Sequence, residues 1–135
     1  MGYFAFAKLE LGLIKTKFVP KTVETGKKGE QQALTYLKGQ GYHILHTNWR
    51  FKKLEVDIIA RHQEFLAVIE VKTRRNADFG EPEVFVKKDK QKKIIRAAHE
   101  YVKLFEIEEE VRFDIIAVNN ETGHIEHIKR AYYPG

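Results

Sequence analysis

Two short stretches of the chain place acidic and basic side chains at spacings that suit phosphodiester chemistry. In KLEVDIIA, Glu55 and Asp57 are two residues apart. In IEVKT, Glu70 and Lys72 have the same spacing. Alternate residues of a β-strand point to one face, so each pair shares a face, with roughly 7 Å between its members along the strand. Such charges are costly to bury in an apolar strand unless they are paired or bind a metal.

Hydrolysis of a phosphodiester requires cations near the phosphate, carboxylates that hold them, and a group that positions or deprotonates water. Asp57 and Glu70 are hard oxygen ligands suited to Mg²⁺ or Mn²⁺, and Mg²⁺ commonly uses one or two protein carboxylates with several waters. The backbone carbonyl of Val71 is a further candidate ligand, and Lys72 would orient the water and stabilise phosphoryl charge. A structural ion pair between two strands is the alternative interpretation of these residues.

Two helices are predicted on either side of these stretches. Residues 24–40 carry Ala33, Leu34 and Leu37 at helical spacing and end before Gly41. Residues 74–87 are predicted to form a loop, because glycine and proline occur there among charges. A second, strongly amphipathic helix follows the loop, with apolar side chains at Ile94, Ile95, Ala98, Tyr101, Val102 and Phe105.

Five segments have the composition of β-strands, and they are residues 42–50, 54–60, 65–73, 111–118 and 124–132. The third segment is almost continuously apolar and β-branched, which is typical of a central strand buried on both faces. The first three should form an antiparallel meander. A strand, a crossover helix and a further strand imply one parallel pairing. The prediction is an α/β fold with an αβββαβ core, in which helices flank a mixed central sheet.

The spacing of Asp57, Glu70 and Lys72 matches the D-x(n)-E-x-K pattern of the PD-(D/E)xK nuclease superfamily. Within that superfamily the chain resembles the YraN-like family, which is similar to archaeal Holliday-junction resolvases. The resemblance covers about Gly29 to Tyr132. It is carried by GEQQALTYLKGQGYHIL, NWRFKKLEVDIIA, LAVIEVKTR, FG, KQKKIIRAAHEYV and RFDIIAV. What it implies is a restriction-endonuclease-like fold, a nuclease activity and a homodimer like those of the resolvases.

The resemblance also implies roles for residues outside the two strands. A glutamate on the first helix that completes the metal site falls on Glu30, although a solvated helix residue is an equally good interpretation. A polar residue on the second helix, Gln91 or Lys90, would face the phosphates. The chain departs from the family at Leu54, where glycine is usual before the Glu-x-Asp step. Asp57 is therefore a better ligand candidate than Glu55, which is kept as a secondary one.

Basic residues surround the start of the second helix and are the best candidates for contacts with a nucleic-acid backbone. A run of lysines is more often a solvated face, but this one follows the Glu-x-Lys strand and should lie beside the same cleft. The aromatic residues Trp49, Phe51 and Phe79 could stack on bases, with core packing the better interpretation for Trp49. The candidate phosphate contacts are Arg74, Arg75, Lys88, Lys90, Gln91 and Lys92.

The bulk properties predict one globular domain over residues 23–135, preceded by an apolar N-terminal arm at residues 1–22. The chain has 135 residues, 24 basic and 19 acidic, for a net charge of +5 that favours a polyanionic partner. It contains no cysteine, which excludes disulfides and sulfur-based zinc sites. No apolar run is long enough to cross a membrane. We expect a cytoplasmic protein without membrane contact whose partner is nucleic acid, DNA more than RNA.

Two other functions are compatible with the same sequence. One is a nucleic-acid-binding module that keeps the fold without turnover, and the other is an interaction protein that assembles through its arm and an exposed strand edge. His124 and His127 have an H-x-x-H spacing, but residues three apart on a strand point to opposite faces, so zinc is not expected there.

Overall fold

The computed structural model describes residues 24–74 and 86–134. The predicted arm at residues 1–22, Arg75 and Phe79 lie outside these residues. Within them, two helices and five strands follow the predicted order. The elements are α1 (Glu24–Gly39), β1 (His43–Phe51), β2 (Leu54–His62), β3 (Phe65–Arg74), α2 (Lys88–Phe105), β4 (Glu110–Asn119) and β5 (Ile125–Tyr132).

The strands form a single sheet in the order β1-β2-β3-β4-β5. Neighbouring strands pair antiparallel except β3 and β4, which pair in parallel over Phe65–Arg74 and Glu110–Asn119. The parallel pairing arises because α2 is a crossover helix. It carries the chain back to the end of the sheet where β3 begins, so β4 runs in the same direction as β3. The predicted α/β fold is confirmed, and its mixed sheet with a helix on each face is consistent with a restriction-endonuclease-like core.

Strand β3 is the centre of the molecule, since its residues Leu66 to Glu70 are all buried. Its alternate side chains enter two separate apolar clusters. On one face, Leu66 and Val68 pack with the buried residues of α2, among them Ile94, Ala98 and Tyr101. On the other face, Ala67 and Ile69 pack with Ala33 and Leu37 of α1. The continuous apolar run is therefore explained by burial on both faces, as predicted.

A buried polar network joins the sheet to α1 at the end where β3 begins. Arg112 and Asp114 on β4 form a two-nitrogen ion pair, with the closest approach of 2.9 Å between Nη2 and Oδ2. His127 of β5 lies 2.8 Å from Asp114 through Nε2, and its Nδ1 lies 3.0 Å from the Tyr36 hydroxyl on α1. Arg112 also donates to the hydroxyl of Tyr42. These contacts hold β4, β5 and α1 together.

Within residues 24–74 and 86–134, no helix is both long and apolar enough to cross a lipid bilayer.

Candidate functional site

Strands β2 and β3 stop pairing where the predicted site residues lie. Their paired residues run from His62 opposite Phe65 to Ile58 opposite Ile69. Beyond that point the Val71 backbone N–H donates to Oδ2 of Asp57 at 2.8 Å. A side-chain carboxylate thus bonds a backbone group of the neighbouring strand at the fork where the two strands separate. This contact fixes the position of Asp57 against β3.

Helix α1 brings a second carboxylate to the fork. Both oxygens of Glu30 accept hydrogen bonds from Nδ2 of Asn48, at 3.1 and 3.2 Å, and the charge of Glu30 reaches Asp57 and raises its pKa. Asn48 has a left-handed backbone with φ of 53°, which is uncommon in a strand and most tolerated by asparagine and aspartate. This irregular backbone conformation in β1 therefore occurs at the residue whose side-chain amide contacts α1. The structure therefore places Glu30 beside Asp57, as the resemblance implied.

The carboxylates at the fork oppose one another's ionisation. The pKa of Asp57 is raised well above its ordinary value, first by burial and then by the charges of Glu70 and Glu30. The Val71 amide and the charge of Lys90 act in the opposite direction. Burial is also the largest cause that raises the pKa of Glu30. A cation in this position would offset the repulsion.

Glu70 is buried on β3 and pairs with a lysine from the opposite helix. Nζ of Lys90, in the first turn of α2, lies 2.6 Å from Oε2 of Glu70. Lys72 follows Glu70 by two residues on β3 and is partly buried. In the part of the chain that the structure describes, its ammonium makes no hydrogen bond or ion pair. The lysine in contact with the acids is thus Lys90, which the sequence analysis had placed among the phosphate contacts.

Glu55 lies at the margin of the site rather than inside it. It pairs across the β1–β2 hairpin with Arg50, at 3.8 Å between Nη2 and Oε1, and its charge raises the pKa of Glu30. Leu54 opens β2 and is partly buried beside the α2-side cluster, opposite Phe51. The turn before it uses a positive φ of 57° at Lys52. The hairpin therefore closes without the glycine that the family usually has.

The candidate phosphate contacts lie along the start of α2 and the end of β3. Lys88 and Lys92 are exposed, whereas Arg74 is partly buried at the end of its strand. Nε2 of Gln91 donates to the Val86 carbonyl at 2.8 Å, so this side chain binds the segment that enters α2. Lys88 and Lys92 lie at the same end of α2 as Lys90, and Lys90 pairs with Glu70.

The core interpretation of Trp49 is confirmed. Its side chain is buried, and its ring meets Tyr101 edge-on with centroids 5.1 Å apart and stacks on Phe51 at 6.2 Å. Phe51 itself is partly buried against the same cluster. Neither ring is a free platform for a base.

The acidic donors fit a magnesium-like ion if water completes its coordination shell. No three or more Asp, Glu, His or Cys side chains within residues 24–74 and 86–134 are arranged to hold one ion together. Mg²⁺ needs only one or two carboxylates when water completes its shell. Asp57, Glu70 and the Val71 carbonyl are the residues that would supply these ligands. His127 does not join a metal site with His124, because its Nε2 contacts Asp114 and its Nδ1 contacts the hydroxyl of Tyr36.

Residues 29–118 match the family described as Uncharacterised protein family UPF0102. The match covers about two thirds of the chain and includes the carboxylates of Glu30, Asp57 and Glu70. The chain belongs to this family. The YraN-like resemblance noted from the sequence is thus confirmed at the family level.

Relatives in the family are similar over nearly their whole length. A UPF0102 protein of Bacteroides thetaiotaomicron is 50% identical over 113 residues, which are 82% of this chain and 93% of the relative. One from Flavobacterium psychrophilum is 46% identical over 112 residues, covering 82% and 94% of the two chains. One from Thermodesulfovibrio yellowstonii is 43% identical over 111 residues, covering 82% and 97%. The described fold therefore corresponds to the part that these family members share.

Sequence reasoning missed three features of the molecule. Arg112 and Asp114, two apart within an apolar strand, carry the same signal that identified Glu70 and Lys72, and that signal was available. The contact of Asn48 with Glu30 had no signal, because an asparagine in a strand is unremarkable. The Lys90–Glu70 pair joins residues from two elements, and their spacing in the chain does not indicate contact.

Proposed function

We propose that this protein is a metal-dependent phosphodiesterase of the PD-(D/E)xK type that acts on nucleic acid, DNA more than RNA. The observation that carries the proposal is the group of three interacting carboxylates, Glu30, Asp57 and Glu70, at the point where β2 and β3 separate. Mutual repulsion in a partly buried place costs stability unless a cation is bound there. Such a cost is typical of a functional site.

The residues of the fork have separate roles in this proposal. Asp57, Glu70 and the Val71 carbonyl would hold Mg²⁺ or Mn²⁺, which supplies Lewis-acid stabilisation of phosphoryl charge and activates water. Lys72 lies beside Glu70 on β3, and its ammonium would orient the attacking water and stabilise the phosphate. Glu30 would assist Asp57 as a further acidic group beside the cation, since its charge reaches Asp57. The hydrogen bond from the Val71 N–H holds Asp57 at the fork.

The surface near the site suits the backbone of a nucleic acid. Lys88 and Lys92 are exposed near Lys90, and Arg74 ends the strand that carries Glu70. Contacts of this kind bind phosphates and position the strand without selecting a base sequence. We therefore expect recognition of backbone shape more than of base sequence.

Cleavage of labelled single-stranded, duplex and branched DNA, with RNA counterparts, tests the proposal in Mg²⁺ and Mn²⁺. Glu70→Gln and Lys72→Met should each lower the cleavage rate by about 100-fold or more, since both act in the charged transition state. Glu126→Gln, an exposed glutamate of β5, is the matched control and should cleave like the parent. Equal rates for the parent, Glu70→Gln and Lys72→Met would show that these residues are not catalytic.

A nucleic-acid-binding module without turnover is the second candidate, and the Lys90–Glu70 pair favours it. That pair neutralises one carboxylate within the protein itself, so a fold without a metal is also electrostatically satisfied at Glu70. A binding module would bind DNA with strong salt dependence, would be indifferent to Mg²⁺ and would release no product. Gel-shift titrations with and without Mg²⁺, on the substrates used for cleavage, distinguish the two candidates.

A further inference from the structure

We propose that Lys90 is a displaceable counter-cation, which occupies Glu70 until a divalent ion binds and then moves to a phosphate of the nucleic acid. The inference rests on the proposed function and deepens it, because it assigns a coupling role to a residue outside the two strands. It makes metal binding and phosphate binding cooperative.

The two partners of this ion pair differ in exposure to solvent. Glu70 is buried in the middle strand, with 8% of its side chain exposed, whereas 41% of the Lys90 side chain is exposed. The carboxylate is therefore held by the sheet, and the ammonium lies at the solvent edge on a flexible four-carbon stem. If the pair opens, it is Lys90 that moves.

The ammonium and a divalent ion compete for the same oxygen. Nζ of Lys90 lies 2.6 Å from Oε2 of Glu70, and its charge also reaches Asp57, where it favours the ionised carboxylate. A second cation between Asp57 and Glu70 would be repelled by this ammonium and would have to share its ligand. Binding of the ion therefore requires that Lys90 leave Glu70.

The displaced ammonium has a suitable anion nearby when nucleic acid is bound. Lys90 is in the first turn of α2, and the lysines three residues to either side of it, Lys87 and Lys93, are exposed on the same side of the helix. A backbone attracted by those lysines would bring phosphate oxygens within reach of Nζ, and phosphate would favour the position away from Glu70. Because coupling between two ligands is reciprocal, phosphate binding should tighten metal binding and metal binding should tighten phosphate binding.

Mn²⁺ binding, measured by calorimetry and by the loss of the free-ion electron-paramagnetic-resonance signal, tests the role of Lys90. The probes are Mn²⁺ alone and Mn²⁺ with a phosphorothioate-substituted hairpin DNA that resists cleavage. Lys90→Met keeps the apolar stem and removes the charge. Lys103→Met removes one charge from the last turn of the same helix, at an exposed position, and is the control for overall charge. Lys90→Gln is a second variant in case the first does not fold.

Without DNA, Lys90→Met should bind Mn²⁺ about fivefold or more tightly than the parent, and Lys103→Met should remain within about twofold of the parent. With the hairpin present, the parent should gain about fivefold or more in Mn²⁺ affinity, and Lys90→Met should gain less than about twofold. Equal Mn²⁺ affinity for Lys90→Met and Lys103→Met would overturn the role of Lys90 alone. No Mn²⁺ binding by the parent or by Lys90→Met, with or without DNA, would overturn both this role and the metal-dependent function.

Discussion

At the scale of single residues, the carboxylates Glu30, Asp57 and Glu70 carry a stability cost that the proposed function would explain. Asp57 bonds the Val71 amide, which favours its ionised form, but burial and two neighbouring acids oppose ionisation more strongly. The folded chain therefore holds a proton on this group at pH values where the unfolded chain has released it. An arrangement that raises the free energy of the folded state in this way is typical of sites that bind a cation.

Asp57→Asn should stabilise the metal-free protein near pH 7 by about 1 kcal/mol or more. The Asn oxygen can still accept the Val71 N–H, while the repelled charge is gone. The raised pKa of Asp57 means that stability from this group is full below its unfolded value and is lost as pH rises through the folded value. The gain should therefore shrink towards zero near pH 3.

Urea unfolding of the parent and Asp57→Asn across this pH range measures the effect. Glu126→Gln, which alters an exposed strand residue, should change stability little at any pH in the range. A lower stability of Asp57→Asn than of the parent at both ends of the range would refute the repulsion argument.

At the scale of elements, the site depends on how closely α1 approaches β3. Gly29 precedes Glu30 on α1, and a Cβ added there would collide with Oγ1 of Thr73 on β3. The absence of a side chain at Gly29 is therefore what allows the helix to lie against the strand. The same approach brings the carboxylate of Glu30 to Asp57.

Gly29→Ala should lower stability by about 1–3 kcal/mol, because the helix must move away from Thr73. It should also weaken Mn²⁺ binding, since Glu30 moves with α1. The double variant Gly29→Ala with Thr73→Ala removes the colliding oxygen and should recover most of both losses. Thermal unfolding and Mn²⁺ titration are the measurements.

Gly39→Ala is the matched control for this prediction, since an added Cβ there meets nothing within 4 Å. Alanine is the better helix former, so this variant should be neutral or more stable by up to about 1 kcal/mol. A loss at Gly39 similar to that at Gly29 would indicate a general effect of helix glycines and not close packing on Thr73.

The network of Arg112, Asp114 and His127 is the second device that positions α1, at the other end of β3. Asp114→Asn should lower stability by about 3–5 kcal/mol near pH 7, because Arg112 would remain buried without its counter-charge. Hydrogen bonds from His127 and Arg112 lower the pKa of Asp114 although burial, the largest single influence, raises it. Stability from this group is thus present above its unfolded pKa and is lost as pH falls through the folded value.

Chemical denaturation of the parent and Asp114→Asn between about pH 2 and pH 7 checks this prediction, and the difference should narrow towards the acid end. Glu121→Gln, in the exposed β4–β5 turn, is the control. A difference that stays constant with pH would show that the stabilisation comes from packing and not from the charge of Asp114.

At the scale of the whole molecule, a net charge of +5 favours a polyanion, and the lysines around α2 concentrate part of that charge beside the fork. Net charge alone would attract DNA to any face. The position of the lysines predicts that one face contributes most of the phosphate contacts.

The double variant Lys88→Gln with Lys92→Gln should bind duplex DNA more weakly and with a smaller salt dependence. Each lost phosphate contact lowers the slope of log K against log salt by about 0.9, so the pair should lower it by nearly 2. Fluorescence anisotropy at several salt concentrations measures the slope. Lys129→Gln on β5 should leave it unchanged, and an equal change there would indicate diffuse attraction by net charge.

Much of the fold was predictable because it depends on local patterns. The alternation at the start of β2, the apolar run of β3 and the helical period of Ile94, Ala98 and Tyr101 each follow from which faces must be buried. Element bounds were within a few residues of those in the structure. The parallel pairing of β3 with β4 followed from the helix between them.

The sequence by itself determined the order of the elements, because strand and helix periodicity are properties of neighbouring residues. It also singled out Asp57 and Glu70, because an acidic residue within an apolar strand is unusual. Tertiary structure alone decided that Glu30 lies near Asp57, that Asn48 donates to Glu30, and that Lys90 rather than Lys72 pairs with Glu70. These contacts join elements far apart in the chain. Their geometry depends on how two helices pack on one sheet, which local periodicity does not specify.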